Sequence, residues 1–383
     1  MTTILAQDFT TVVRSSNPQN LYTGSPMLTR LSSGRMIAGF EWFRPSPVAT
    51  SLPGQFKILV SDDRGESWSE KASLSIIWPS LFVHDDFLYV IGSRPKSREI
   101  VISRSGDGGE TFTREKVLYE GRFHSAPTPV VMKDGFVYSA FETCPTGHRS
   151  EWNSLVIAGD QSGDLLDPSA WRMSNHLDFP GVPPALTRGT YKPSFEDKIA
   201  EDSWLEGNVI DVGGEIRVIL RTIIDAHSTA GLAAVCGLED DGKQLSYRFL
   251  QFYPMPGAQC KFYIVYDDAS GLFWTTVTRP TNTWQDREPL KKIGFAGAPG
   301  NERRILILMY SLDALNWFDA GCVAMSRSPL ESFSYASQLI DGDDLLVVAR
   351  TSQGGKNQHD TNLVTLHRVA DFRTLALELR PEI

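Results

Sequence analysis

The chain has 383 residues, 41% of them hydrophobic, a formal net charge of −9 and a pI near 5.4. An acidic chain without a basic patch argues against a nucleic-acid partner, and no apolar run approaches the ~20 residues that a membrane span needs. Four cysteines, Cys144, Cys236, Cys260 and Cys322, stand too far apart for a CxxC metal site, so neither metal nor cofactor is expected.

From its start, Met1 to Asp8, the sequence has no basic n-region and too short an apolar stretch for a secretion signal. With few cysteines this points to the cytoplasm. Further along, β-branched and aromatic runs recur at 35–41, 56–61, 87–91, 100–103, 136–141, 216–220, 262–266, 272–278, 305–310 and 345–349. They have strand length and are separated by Asp-Gly, Gly-Gly and Ser-Gly turns. Almost no stretch keeps a 3.6-residue period, so an all-β chain is expected.

Within this pattern Ser61-Asp62-Asp63-Arg64-Gly65-Glu66-Ser67-Trp68 returns 44 residues later as Ser105-Gly106-Asp107-Gly108-Gly109-Glu110-Thr111-Phe112. Both read S-x-D-x-G-x-[ST]-[WF]. The carboxylate can accept backbone N–H groups inside a turn, glycine supplies a positive φ, and the aromatic ring tucks under the following strand. A third, degenerate copy runs from Ser311 to Trp317, with Leu315 where the glycine should be. The spacing suits a four-stranded blade.

These octapeptides resemble the Asp box of the sialidase (neuraminidase) and BNR-repeat superfamily. The resemblance implies a sialidase-like, six-bladed β-propeller in which the boxes are structural staples on outer hairpins. The strand runs divide accordingly into six blades, beginning near Gly24, Ser73, His124, Trp204, Lys261 and Tyr335. A strand near Thr10 to Val13 closes the last blade, and residues 1–383 form one domain. Two longer segments, 178–203 and 280–303, break the period and are expected at a functional rim.

The resemblance continues toward the axis. Tyr22 to Leu28, with Met36 to Glu41, is similar to the first sialidase blade, but Thr23 or Gly24 stands where that motif has an arginine. No Asp occurs between Pro45 and Val60 to serve as that family's general acid. Trp204 to Ile210 and Ile216 to Arg221 resemble the fourth blade, where a Glu opens one strand and an Arg closes the next, which implies that Glu206 and Arg221 meet at the axis. Tyr335, Asp341-Gly342 and Leu345 to Arg350 look like the strand pair that bears the tyrosine nucleophile, with Arg350 at a position where the family has a glutamate. Lys261 stands in the region of a third arginine.

Histidines number seven. His124, with Glu142 closing the next strand, and His359, beside Asp360, are candidates for acid–base work because imidazole titrates near neutral pH. Trp204, Trp42 and Tyr335 are candidate stacking walls; Arg221, Arg350 and Lys261 are candidate cations for a substrate carboxylate. The resemblance implies an exo-acting hydrolase that removes a terminal acidic sugar from an oligosaccharide, with Glu206 serving as base or activating Tyr335 and His124 or Glu142 protonating the leaving oxygen. Two alternatives remain open: a polysaccharide lyase or rhamnosidase acting at a uronate, and a glycan-binding propeller without catalysis.

Overall fold

The computed structural model describes residues 4–44, 56–183, 202–224, 231–281 and 302–381, with Pro289 and Lys292. Most of the two long segments expected at a rim, and the first part of the stretch without a general-acid Asp (45–55), lie outside the described residues.

Six antiparallel sheets follow one another along the chain, and their inner strands begin at Tyr22, Ile77, Phe123, Ser203, Tyr263 and Ser332. The sequence-derived starts fall within a few residues of these. Five sheets are built in chain order. The sixth takes Ser332–Asp341, Asp344–Ser352 and Leu363–Val369 and is completed by Thr10–Arg14, which pairs with Leu363–Val369. The fold is a six-bladed β-propeller.

The core consists of six apolar layers, one between each pair of successive blades. Successive side chains of a strand point to opposite faces, and in a propeller both faces meet a neighbouring blade. In Asp344–Ser352, Leu345, Val347 and Ala349 pack toward the fifth blade, while Leu346 and Val348 pack toward the first. The strand is therefore apolar without alternation, and a charged residue that ends such a run marks where the strand leaves the core. Burying these layers supplies the main driving force of folding, at roughly 25 cal/mol per Å² of apolar surface.

The octapeptides cross from the third to the fourth strand of blades one and two. Asp63 Oδ1 accepts the Ser67 N–H at 2.9 Å and the Ser61 hydroxyl at 2.7 Å, and Gly65 has φ +91°. Asp107 repeats this with Thr111 N–H at 2.9 Å, and Gly109 has φ +88°. The degenerate copy is one residue shorter: Asp313 accepts the N–H groups of Leu315 and Asn316 at 2.9 and 2.8 Å, and the last positive φ falls on Ala314, so no glycine is required at Leu315. Because Ser61 pairs with Met36, and Phe56 with Glu41, the first turn lies at the far end of its blade from Glu41.

Four of the inner strands carry the same irregularity. Pairing with the second strand shifts between Gly24 and Met27, Ile77 and Ser80, Leu205 and Asn208, and Ser334 and Ser337. Each is a two-residue β-bulge, and such bulges re-aim side chains.

Candidate active site

The bulges govern the cleft. Trp78, Glu206 and Tyr335 each stand first in a bulge and each has a left-handed backbone, with φ of +50°, +60° and +51°. At the matching place on the second strands stand Glu41, Ser93, Glu142, Arg221 and Arg350. A cleft of about 590 Å³ opens at this mouth of the ring, lined among others by Trp78, His124, Arg149, Glu206, Arg221, Arg303, Tyr335, Arg350 and His359.

At its floor Arg221, only 6% exposed, donates from Nη1 to Glu206 Oε2 at 2.9 Å and to the Tyr335 hydroxyl at 2.7 Å, and from Nε to the Gln259 carbonyl at 2.9 Å. Burial opposes both charges of the ion pair, yet Arg221 holds the Glu206 carboxyl below its ordinary range and Glu206 raises Arg221. Three guanidinium carbons surround the Tyr335 ring: Arg303 at 4.8 Å, Arg350 at 5.4 Å and Arg221 at 5.8 Å. Burial, then the charge of Arg303, lowers Arg350 to about 10, which leaves it protonated at neutral pH. Its Nε donates to Thr361 and its Nη2 to the His359 carbonyl.

On the opposite wall His124 lies between two indoles, 4.8 Å from Trp78 and 4.9 Å from Trp152. Glu142 Oε2 is 2.7 Å from His124 Nδ1. A carboxylate only accepts, so Nδ1 carries a proton and Nε2 is left for a substrate. The other oxygen, Glu142 Oε1, accepts the Glu206 N–H at 2.7 Å. Glu142 therefore stands behind the cleft and joins its two sides. His359 is exposed at the rim, 2.9 Å from Asp360. The charge of Arg350 pushes it down to about 4, so it is neutral at pH 7 and a poor proton donor.

Besides Glu142, three candidates do not line the cleft. Trp204 is fully buried against Phe179 and Phe249, because it lies one residue out of phase with Leu205 and faces the layer between blades three and four. Trp42 follows Glu41, whose buried carboxylate reaches blade two, and turns to the other side, edge-on to Phe40; Phe43 lines the cleft instead. Lys261 is 1% exposed and donates to the Ala336 carbonyl at 2.9 Å, with burial lowering it to about 7. Conversely, Trp78, Arg149 and Arg303 line the cleft unforeseen. Trp78-Pro79 repeats the placement of Ser25-Pro26 in the first blade, a signal that an alignment of blade against blade exposes.

A larger hollow, about 740 Å³, opens at the other mouth near Met132, Asp211 and Tyr266, and none of the candidate residues lines it. Among the described residues no group of three or more His, Cys, Asp or Glu could hold a metal ion.

No protein-family profile and no characterised protein sequence matches the chain. Solved structures do. An α-L-arabinanase of Penicillium chrysogenum complexed with arabinobiose aligns over 97% of this chain and 98% of its own, at 14% identity and a TM-score of 0.55. A Trypanosoma rangeli sialidase in complex with sialic acid aligns over 98% of this chain and 59% of its own, at 14% identity and 0.61. An α-L-arabinofuranosidase of Fusarium graminearum with arabinobiose aligns over 96% and 98%, at 13% and 0.55. These likenesses establish the fold, a propeller of the kind found in that sialidase, that arabinanase and that arabinofuranosidase.

Proposed function

We propose that this propeller is an exo-acting glycoside hydrolase that removes a terminal sugar bearing a carboxylate. The observation that carries this reading is the set of three guanidinium groups around Tyr335, with Arg221 also paired to Glu206. Planar guanidinium forks match a carboxylate, and one end of a sugar ring held by Arg350 and Arg303 would lie over Tyr335. The solved neighbours named for sialidase, arabinanase and arabinofuranosidase activity support a glycosidase on this fold.

In this reading the Tyr335 oxygen attacks the anomeric carbon and its proton passes to Glu206. Negative charge that develops on the phenol oxygen is met by Arg221 at 2.7 Å. His124, oriented by Glu142 and in its doubly protonated form, gives its Nε2 proton to the leaving oxygen and then takes one from the water that releases the sugar, while the proton on Glu206 returns to the Tyr335 oxygen. A second reading is favoured by the same cations: a lyase at a uronate needs its carboxylate neutralised and a base at C5, which His124 or Tyr335 would supply.

The test is a panel of fluorogenic sialosides, glucuronides and arabinofuranosides, together with uronate-containing polysaccharides. Turnover of an acidic glycoside is the expected result. Ultraviolet absorbance from a new C=C bond would select the lyase, turnover of arabinofuranosides alone would remove the acidic sugar, and binding without turnover would leave a glycan-binding propeller.

A further inference from the structure

Trp78, Glu206 and Tyr335 reach the cleft through a left-handed backbone, which residues with a Cβ adopt reluctantly and keep only when their surroundings over-determine it. The surroundings repeat. Glu41 Oε1 of blade one accepts the Trp78 N–H of blade two at 2.8 Å. Glu142 Oε1 of blade three accepts the Glu206 N–H of blade four at 2.7 Å. Lys261, at the entrance to blade five, donates from Nζ to the carbonyl of Ala336, the second bulge residue of blade six and the neighbour of Tyr335, at 2.9 Å.

All three pinning side chains are at most 1% exposed. Burying an ion is costly, and a neutral amide or hydroxyl closer to the backbone would satisfy a lone N–H or carbonyl. What a long side chain adds is reach from one blade to the next and, for the two carboxylates, a hydrogen bond stronger than a neutral one. Each pin thus ties the aim of a cleft side chain to the spacing between blades.

We propose that Glu41, Glu142 and Lys261 are positioning residues that hold the three bulges in the left-handed form, and that Glu142, which also orients His124, couples the nucleophilic side of the cleft to the proton-donating side. The kinetic part of this proposal rests on the glycosidase reading; the conformational part does not.

Crystal structures and kinetics of Lys261→Met, Glu142→Leu and Glu142→Gln test it. In Lys261→Met the Tyr335 φ should turn negative and its oxygen leave Arg221. On whichever fluorogenic glycoside the wild type cleaves, kcat should fall about 100-fold with KM changed less than about threefold, as for a group that acts on the transition state. Glu142→Gln keeps one acceptor oxygen for the Glu206 N–H and should retain the Glu206 φ, but its amide NH2 then faces His124 Nδ1 and kcat should fall; Glu142→Leu should lose both the φ and kcat. Retention of both left-handed backbones in the Met and Leu variants overturns the proposal. If Lys261→Met does not fold, it is placed in a Tyr335→Gly background, where glycine accepts a positive φ unaided: folding restored there supports the pin, and failure there too overturns it. Should the wild type cleave no glycoside, the glycosidase reading fails, while the backbone conformations still decide whether the pins act.

Discussion

A single nitrogen, Arg221 Nη1, lies 2.9 Å from Glu206 Oε2 and 2.7 Å from the Tyr335 hydroxyl, so a carboxylate of blade four and a phenol of blade six share one donor. The Arg221 Nε is committed as well, to the Gln259 carbonyl of the fifth blade's approach. A lysine ammonium has three donors on one atom, so it cannot meet the Gln259 carbonyl as Nε does while reaching Glu206 and Tyr335 as Nη1 does. Arg221→Lys should therefore lower kcat by about 10²–10³-fold, measured on the best fluorogenic glycoside. Arg221→Met should also destabilise the fold by about 3–5 kcal/mol in urea titrations, because it strands the buried Glu206 carboxylate.

The role given to His124 predicts a dependence on the leaving group. With His124→Gln, glycosides of poor leaving alcohols should slow by about 10²–10⁴-fold, whereas aryl glycosides, which depart without a proton, should slow far less. A plot of rate against leaving-group acidity checks this. Equal losses across the series would remove His124 from proton donation.

Lys261 should leave a mark on stability as pH changes. Burial lowers it to about 7 in the fold, against about 10.4 in an unfolded chain. Between those values the unfolded chain binds the additional proton, so this group makes the wild type more stable as pH rises from about 7, and its cost is fully present below that. Lys261→Met lacks the titration. The stability of wild type minus that of Lys261→Met, from urea melts at about pH 6, 7.5 and 9, should become more favourable to wild type with rising pH; a flat difference contradicts the buried ammonium.

Asp63 and Asp107 lie on outer turns, at the end of their blades away from the cleft, and hydrogen bonds, first those from Ser67 and Thr111, hold both carboxyls down at about 2. Replacing either with Ala should lower Tm by a few degrees and leave kcat and KM unchanged. Calorimetry beside steady-state kinetics makes the comparison.

Much of this architecture could be read from the residues, for definable reasons. The run from Leu345 to Ala349 is continuously apolar because both its faces lie between blades, and Arg350 is conspicuous because it ends that run. Arg221 ends the run from Val218 to Leu220 in the same way, and Glu206 stands out as a charge near the start of a buried strand. Trp204 lies in a layer between blades and not in the cleft; an aromatic residue near the axis suits either place, and only the phase of the alternation distinguishes the two. That phase is reset at each bulge, and the bulges at Trp78, Glu206 and Tyr335 carry no glycine to announce them at the left-handed position. The burial of Lys261 depends on Ala336, 75 residues away. Arg149 comes from a short 3-10 turn, Arg149–Glu151, and Arg303 from the approach to a strand, so neither follows an apolar run that would point to the axis.

The strand Thr10–Arg14 is synthesised long before its partner, Leu363–Val369. Until that partner exists Thr10–Arg14 has no strand to pair with, and before the two meet each presents an open edge able to pair with any extended segment. Two newly made chains held close together could each lend the other its opening strand, producing an exchanged dimer with the same hydrogen bonds as the monomer. The ring is thus fastened by a reversible clasp, and the yield of single rings on refolding should fall as protein concentration rises.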